Sequence, residues 1–444
     1  MDKKLFIEEV EEIAEHNEEA LTLLKRRSLF AIFIVVFFFG VTVARLWFLQ
    51  ISSVEEYKNL ADNNRVRIRS VRAPRGHILD KHGREIVTNR PSFNVVMIRE
   101  DSYDIDDVLK RLSKILKEDI GTLWEQIREA EGEPRHYPIV LKEDIDWETL
   151  AYLENHKYKF PGVRIEVQPV RTFHYGDLAA NTIGYIGSIN RKQLEDDKEG
   201  VYEGGDLIGK RGIERLREKD LRGEKGKSST EVNARGFEQR ELKSLDPLPG
   251  NDLQLTIDAE LQLVAEQFMN IGEKAGAVVA LEVKTGRVLA AASSRSIHLE
   301  DFIGGISQSN WDALQNNSRH PLINKSVKAA YPPGSTYKIV TALAGLAEGV
   351  IDENTTIYCP GHYYFGRRIY RCWKHSGHGE VHLRKAITQS CDVYFYQVGE
   401  RVGVDKLAVY ARKLGLGQKT GVEMEHEKSG LIPTKEWKRK RHQE

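Results

Sequence analysis

Residues 28–51 (SLFAIFIVVFFFGVTVARLWFLQI) form an apolar run with one formal charge, at Arg45. As an α-helix this run is about 36 Å long, enough to cross a hydrocarbon core of about 30 Å. It is apolar on every face, unlike the amphipathic core helix of a soluble protein. It is also longer than the apolar part of a signal peptide, and no small-residue cleavage site follows it. The run therefore predicts a transmembrane helix.

The charges that flank this run predict its orientation. Residues 25–27 (KRR) precede it, whereas Glu55 and Glu56 follow it. Because cationic flanks stay in the cytoplasm, residues 1–27 are expected to form a cytoplasmic tail, with a short amphipathic helix. In a bacterium the protein would cross the inner membrane once, with its N-terminus inside. Roughly 390 residues would then lie in the periplasm, an oxidising compartment.

The charge balance argues against one class of partner. The chain has 66 Lys and Arg residues against 66 Asp and Glu residues, a net charge of zero. A protein that coats nucleic acid is usually strongly basic, so no nucleic-acid partner is expected. The basic run at 438–441 is interpreted as a solvated or anion-facing loop.

The exported part changes its pattern at a Pro-Leu-Pro-Gly break, residues 247–250. Residues 52–250 alternate strand-like and turn segments, and a helical stretch within about 92–165 predicts a small α/β head. Residues 251–444 mix strands with helices. The pattern predicts an α+β fold with a domain boundary at residue 250.

Ser335 and Lys338 form the only Ser-x-x-Lys sequence in the chain. Two prolines and a glycine precede Ser335 and an apolar helical run follows it, so Ser335 is expected at a helix N-terminus. Residues three apart share one face of a helix. A serine hydroxyl becomes a nucleophile when a neighbouring base takes its proton, and a lysine can be that base. The spacing alone also fits a helix-capping serine beside a solvated lysine.

Ser390 and Asp392 form a second candidate motif, Ser-Cys-Asp, at the start of another apolar segment. A second hydroxyl near a nucleophile can relay a proton to a leaving group, and a carboxylate can orient the lysine or the substrate. This motif indicates a catalytic site only together with the Ser-x-x-Lys motif.

All three cysteines of the chain lie close together in sequence. With one histidine they give the pattern Cys-x12-Cys-x5-His-x12-Cys, at Cys359, Cys372, His378 and Cys391, and His375 is a competing ligand. Three thiolates and one imidazole are an accepted structural zinc set. A disulfide with one free thiol, or three small buried residues, explains the pattern equally well.

Several segments, in this order, resemble those of the class B penicillin-binding proteins, membrane-anchored serine D,D-transpeptidases of cell-wall synthesis. They are residues 75–83 (RGHILDKHG), 209–214 (GKRGIE), 221–223 (LRG), 255–258 (LTID), 276–281 (GAVVAL) and 332–338 (PPGSTYK). The resemblance covers almost the whole chain. The Ser-Cys-Asp motif and residues 433–441 (PTKEWKRKR) are most similar to the elongation-specific group of this family.

The resemblance implies a fold and an activity. Residues 52–250 would be an elongated, β-rich pedestal, a dimerisation domain, and residues 251–444 an incomplete serine-transpeptidase domain. Ser335 would attack the penultimate D-Ala carbonyl of a peptidoglycan stem peptide and pass the acyl group to an amine of a neighbouring strand. β-Lactams would acylate the same serine. The four Cys and His residues match a zinc site that some relatives of the elongation-specific group carry, and the metal would then be structural.

The resemblance also implies partners, and an alternative function. The pedestal would bind a glycan polymerase of the SEDS type and a periplasmic rod-shape protein, in cell elongation. A non-enzymatic anchor that activates such a polymerase is the alternative.

The family has a third motif, Lys-Ser/Thr-Gly, on a strand that lines the cleft. Residues 284–286, 419–421 and 428–430 have this sequence, but each is interpreted as a turn or loop. The expectation is therefore a C-terminally truncated chain that lacks the third motif. It would be acylated slowly by penicillin, because Lys338 would lose a cationic neighbour.

Overall fold

A computed structural model gives the structure of the protein. It describes residues 3–53, 66–132, 135, 137–232, 238–271, 275–294 and 296–442. Its helices, in chain order, are α1 (Lys3–Trp47), α2 (Ile105–Leu116), α3 (Ile120–Glu129), α4 (Trp147–Asn155), α5 (Ala180–Ile183), α6 (Arg191–Glu195), α7 (Gly212–Leu216), α8 (Glu218–Leu221), α9 (Ala259–Asn270), α10 (Gln308–Asn316), α11 (Lys325–Lys328), α12 (Tyr337–Ala347), α13 (Leu383–Thr388), α14 (Asp392–Val402), α15 (Val404–Lys413) and α16 (Lys435–His442).

Within the residues that the structure describes, the strands form one five-stranded sheet, one three-stranded sheet and four two-stranded sheets. In chain order they are β1 (Val66–Val71), β2 (Ile78–Leu79), β3 (Glu85–Ile98), β4 (Pro138–Lys142), β5 (Val163–Phe173), β6 (Ile186–Ser188), β7 (Leu207–Gly209), β8 (Gly226–Val232), β9 (Glu238–Leu245), β10 (Leu253–Gln254), β11 (Ala277–Leu281), β12 (Val288–Ser293), β13 (Ile357–Cys359), β14 (His362–Phe365), β15 (Arg368–Arg371) and β16 (Gly379–Val381).

The N-terminal helix α1 is longer than the sequence suggested. It runs without a break from Lys3 to Trp47 and continues as one π-helical turn, Phe48–Ser52. A short tail helix separate from the apolar run was expected. The single helix forms because no proline or glycine interrupts the chain before Gly40. Lys25–Ser52, from the second half of α1 through the π-helical turn, has a mean hydropathy of 2.5 in its most apolar 18-residue window, and none of that window is buried by other described residues.

The pedestal is formed by the two largest sheets. In the smaller one the strand order is β1-β8-β9, and in the larger one β3 pairs with β2, β4 and β5. β3 is the longest strand because its buried residues continue into the head, and it pairs with β5 along eleven positions. β10 pairs in parallel with β2, so the chain stays attached to this sheet until Gln254, just past the break at 247–250.

The head forms where the ends of β3 and β5 and all of β4 meet α2, α3 and α4. Apolar residues at helical spacing on α2 and α3 pack onto the strands, as the sequence predicted. The buried core consists of Val95, Met97, Val108, Leu109, Leu112, Leu116, Leu123, Ile127, Ile139, Leu141, Ile145, Leu153 and Phe160.

A buried ion cluster links segments of the pedestal that are distant in sequence. Arg75 and Arg171 both contact Glu214 at 2.8 Å, and Arg75 also contacts Glu218 at 2.8 Å. Glu214 has an exposed fraction of 1%, so its charge depends on these two arginines. The segments that resembled the family at 75–83 and 209–214 therefore meet in space.

The second domain rests on the pedestal through an aromatic stack and surface ion pairs. The rings of Tyr185 and Phe302 lie 3.8 Å apart, nearly parallel. Arg217 also pairs with Glu423 at 2.8 Å. Within this domain, β11 and β12 form a hairpin packed on α9, and α12, α13, α14 and α15 surround a separate buried core.

Candidate active site

Ser335 lies in a short 3-10 turn, Gly334–Thr336, that leads directly into α12. Gly334 has a φ of 56°, and the hydroxyl of Thr336 donates to the carbonyl of Pro333 at 2.6 Å. The turn therefore holds the serine at the start of the helix, and Lys338 follows in the first helical turn. Both positions agree with the prediction from the Ser-x-x-Lys spacing.

Ser390 lies between the end of α13 and the start of α14. Its φ of 52° is a left-handed conformation that is strained for a residue with a side chain. The backbone N–H of Cys391 donates to the carbonyl of Ala386 at 2.9 Å, which closes α13 and brings Asp392 to the first turn of α14. The strain at Ser390 is the kind that surrounding structure maintains at functional sites.

The two motifs meet in one hydrogen-bonded group. The hydroxyl of Ser390 lies 2.9 Å from the hydroxyl of Ser335 and accepts from Nζ of Lys338, also at 2.9 Å. Lys338 further donates to the carbonyl of Ser390 at 2.8 Å and to Oδ1 of Asp392 at 2.6 Å. The structure thus brings together all four residues of the predicted site, with Ser390 as the bridge between the serine and the lysine.

Trp373 is a member of this site that the sequence reasoning missed. Its backbone N–H donates to Oδ2 of Asp392 at 2.9 Å, and its indole donates to the carbonyl of Gln389 at 3.0 Å. Asp392 is therefore held on one oxygen by Trp373 and on the other by Lys338. A backbone donor has no signature in the sequence; only the exposed indole next to Cys372 could have drawn attention to it.

The three cysteines and His378 form a buried cluster beside this group. Their ligand atoms all lie within 4.8 Å of one another, and the three thiols are free. Nδ1 of His378 lies 3.6 Å from Sγ of Cys359 and 3.5 Å from Sγ of Cys372. In a tetrahedral site with Zn–S near 2.3 Å and Zn–N near 2.0 Å, the sulfur–nitrogen edge is about 3.5 Å. The geometry fits a zinc ion. His375, the competing ligand, is exposed and outside the cluster.

The environment of the cluster sets the charge states of its ligands. Burial raises the pKa of the Cys391 thiol to about 12, and the neighbouring thiols act in the same direction. Burial also lowers the pKa of His378, with help from Lys374. The neutral imidazole is the form that binds metal, whereas the Cys391 thiol would need a cation beside it to ionise.

None of the three Lys-Thr/Ser-Gly sequences lies on a strand within the residues that the structure describes. Lys284 and Thr285 are in the turn between β11 and β12, and residues 419–421 and 428–430 are in irregular segments. The interpretation of all three as turns or loops agrees with these positions.

Comparison with known proteins decides the family. The Penicillin-binding Protein dimerisation domain matches residues 70–255, and the Penicillin binding protein transpeptidase domain matches residues 276–443. A solved complex between a penicillin-binding protein (PBP2) and MreC from Helicobacter pylori has a TM-score of 0.74 and 32% identity, and the match covers 85% of this chain and 71% of that one.

Among curated relatives, the peptidoglycan D,D-transpeptidase MrdA of Haemophilus influenzae is 34% identical in an alignment of 446 positions that covers 99% of this chain and 68% of that protein. The chain belongs to the penicillin-binding protein 2 family. MrdA of Acinetobacter baumannii is 38% identical over 417 residues, 93% of this chain, which spans 61% of that relative's length. The α+β architecture of pedestal and transpeptidase domain is thus that of a penicillin-binding protein 2, as the resemblance implied.

Proposed function

We propose that this chain is a peptidoglycan D,D-transpeptidase that acts in cell elongation. The observation that carries the proposal is the hydrogen-bonded group of Ser335, Ser390, Lys338 and Asp392. Such a group provides a nucleophile, a shared hydroxyl and a base, which is what acyl transfer needs. The match of a transpeptidase domain to residues 276–443 favours this activity over a purely non-enzymatic anchor.

In the proposed reaction, Oγ of Ser335 attacks the carbonyl carbon of the penultimate D-Ala of a stem peptide. The proton of Ser335 passes through the hydroxyl of Ser390 and Lys338 to the nitrogen of the terminal D-Ala, which leaves as the peptide bond breaks. An amine of a neighbouring strand then attacks the ester carbonyl, and its proton returns to Ser335 by the same route. Asp392 keeps Lys338 beside Ser390 throughout.

A covalent penicillin adduct tests this assignment. After long incubation with a penicillin, mass spectrometry of the intact chain should show one penicilloyl group, carried by Ser335. Ser335→Ala should abolish the adduct, whereas Ser429→Ala, in the exposed 428–430 loop, should leave it unchanged. An adduct that persists in Ser335→Ala would refute the assignment.

We propose that one structural zinc ion is held by the three cysteines and His378. Support comes from the closeness of the four ligand atoms, which all lie within 4.8 Å of one another, and from the burial of all four residues. The bound metal would stabilise the thiolates. Cys391 lies between Ser390 and Asp392 in the sequence, and Cys372 directly precedes Trp373. Two of the zinc ligands would therefore be bonded through the backbone to residues of the active site.

Metal analysis of the purified protein tests this site. We expect about one zinc per chain, lost in Cys372→Ser and retained in His375→Ala, because His375 lies outside the cluster. A mapped disulfide between two of the cysteines, with no metal, would contradict the proposal.

We further propose a single-pass location in the bacterial inner membrane, with the N-terminus inside. The apolar stretch Lys25–Ser52 and the cationic residues 25–27 support it. A rod-shape protein and a glycan polymerase are the proposed partners, supported by two solved structures that are similar to this one. One is the complex with MreC, and another, titled "Structural coordination of polymerization and crosslinking by a peptidoglycan synthase complex", has a TM-score of 0.65 and 30% identity and covers 94% of this chain and 72% of that one.

A further inference from the structure

The hairpin of β14 and β15 has an unusual composition for an exposed element. Residues 362–375 (HYYFGRRIYRCWKH) contain three tyrosines, a phenylalanine, a tryptophan, three arginines and a lysine. No acidic residue occurs from 354 to 379. Tyrosine, tryptophan and arginine are the residue types that dominate binding surfaces. We call residues 362–371 the arginine hairpin.

One face of the arginine hairpin is fixed to the domain. Tyr363 pairs across the hairpin with Tyr370, and both rings lie against Tyr396 of α14, with ring centroids 6.5 and 5.7 Å apart. The hydroxyl of Tyr363 also donates to Glu400 of the same helix. These contacts attach the hairpin to α14, the helix that begins at Asp392.

The opposite face of the hairpin is open to solvent. Because side chains alternate along a strand, Tyr364 and Ile369 share this face with His362 and Arg371. Tyr364 has an exposed fraction of 62% and Ile369 of 55%. An exposed aromatic and aliphatic pair beside an arginine is the kind of patch that binds a ligand with both apolar and anionic parts.

The arginines of the hairpin are available for an anion. Arg367 at the turn, Arg368 and Arg371 are all exposed. No carboxylate among the described residues forms an ion pair with any of them. Arginine binds carboxylates with two parallel hydrogen bonds, so three unpaired guanidinium groups on one hairpin favour a ligand that carries several carboxylates.

The position of the hairpin relates this surface to the acyl-transfer group. β15 leads from Arg371 through Cys372 to Trp373, whose backbone N–H holds Asp392. At about 3.3 Å per residue, Arg371 lies about 7 Å from Trp373 along the chain and the turn at Arg367 about 20 Å. An extended peptide of five residues spans about 17 Å. Measured along the chain, the hairpin is thus about as long as such a peptide.

We propose that the arginine hairpin binds the acidic stem peptide of an uncross-linked peptidoglycan strand, outside the acyl-transfer group. Carboxylates of the peptide pair with Arg367 and Arg371, and its apolar parts pack on Tyr364 and Ile369. This inference rests on the proposed transpeptidase function. It adds that the arginine hairpin makes the protein prefer a negatively charged stem peptide.

Charge reversal in the chain of residues 1–444 tests the inference. Binding of a soluble disaccharide pentapeptide is measured in a Ser335→Ala background, so that no turnover occurs. Adding Arg367→Glu and Arg371→Glu should weaken binding by about tenfold, since two exposed ion pairs are lost. The matched control, Lys284→Glu with Arg287→Glu at the exposed turn between β11 and β12, should bind as tightly as the Ser335→Ala chain. A pentapeptide with amidated carboxylates should bind all of these chains with equal affinity.

Two further measurements separate the possible failures. Penicilloyl formation on Ser335 should stay within twofold in the Arg367→Glu, Arg371→Glu chain with Ser335 intact, which also shows that the domain is folded. Unchanged pentapeptide binding in the reversed chain, with normal penicilloyl formation, overturns the hairpin inference alone. Loss of binding to phosphatidylglycerol vesicles instead of to the pentapeptide overturns it in favour of a membrane contact. A parent chain that forms no penicilloyl adduct overturns the proposed function and the inference together.

Discussion

Ser390 combines a strained backbone with a hydroxyl shared by Ser335 and Lys338. We predict that Ser390→Ala and Ser390→Gly both slow penicilloyl formation by about 10²-fold, because both remove the proton relay. Their stabilities should differ, since glycine adopts a positive φ freely and alanine does not; the glycine variant should be about 1 kcal/mol more stable. Time courses of penicilloyl formation measure the rates, and thermal unfolding measures the stabilities. Acylation of Ser390→Ala at the parent rate would exclude the relay.

At the scale of single residues, the sequence predicted what depends on side-chain type. Ser335, Lys338, Ser390 and Asp392 were all predicted, and the structure places them in mutual contact. Trp373 was not, because it acts on Asp392 through a backbone N–H that every residue except proline has. The left-handed conformation of Ser390 was equally invisible, since it follows from how α13 ends against α14.

Gly345 of α12 lies against α14 with little space for a side chain. A Cβ there would lie 2.8 Å from Val398 of α14 and 2.9 Å from Ile351. We predict that Gly345→Ala destabilises the domain by about 1–3 kcal/mol, although alanine is the better helix former. The matched control is Gly399→Ala on α14, whose added Cβ would make only ordinary contacts with Leu407 and Thr341, near 3.8 Å.

Gly399→Ala should therefore raise the thermal midpoint slightly while Gly345→Ala lowers it, as measured by differential scanning fluorimetry. Gly345→Ala should also slow penicilloyl formation, because α12 carries Ser335 and α14 carries Asp392. Equal midpoints for the two variants would show that the helices can separate without cost.

Asp258 caps α9 and joins it to the pedestal. Its carboxylate accepts from the N–H groups of Glu260 and Leu261, and Lys81 contacts it at 2.8 Å. The hydrogen bond from Lys81 lowers the pKa of Asp258 to about 2, with the helix N–H groups acting in the same direction. The carboxylate therefore stabilises the folded state above pH 4, and this contribution is lost as the pH falls from about 4 to 2.

We predict that Asp258→Asn lowers stability by about 1–2 kcal/mol at pH 7 and flattens its pH dependence between about 4 and 2. Urea unfolding at several pH values measures both effects. Asp312→Asn, an exposed acid on α10, serves as the control and should keep the parent profile. If the stability of Asp258→Asn depended on pH in the same way as that of the parent chain, the proposed role of the Asp258 carboxylate would be wrong.

At the scale of elements, the patterns of apolar residues predicted a small α/β head within about 92–165. α2, α3, β4 and α4 all lie within that range. The prediction of a separate short helix before the apolar run was wrong. A change from charged to apolar residues changes the environment in which a helix is stable, but it does not interrupt the helical backbone. Pairing of β10 with β2 was also unpredictable, since two-residue strands have no period.

Glu214 connects β5, the segment 75–83 and α7, so its effect extends over the whole pedestal. We predict that Glu214→Ala costs about 3–5 kcal/mol, because it leaves Arg75 and Arg171 buried without their carboxylate. Glu423→Ala, which breaks the exposed pair with Arg217, should cost less than about 1 kcal/mol. Urea unfolding followed by tryptophan fluorescence compares the two. A similar loss of stability in the two variants would mean that water reaches the buried ion cluster around Glu214.

For the whole molecule, the order of segments in the sequence predicted the architecture better than any single motif did. Segments 75–83 and 209–214 resembled one family and meet at the buried ion cluster. How the second domain sits on the pedestal was not predictable, because the stack of Tyr185 on Phe302 joins residues with no shared pattern.

The unbroken α1 also has a mechanical consequence. Its 45 residues make a rod about 68 Å long, roughly twice the thickness of the hydrocarbon layer. With the proposed topology, about 30 Å of the rod extends into the cytoplasm. A change of 20° in the tilt of the spanning part, within the usual range for such helices, would swing the free end by about 10 Å. In that topology the helix would transmit a change of bilayer thickness to the cytoplasm, because the thickness would set the tilt of the whole rod.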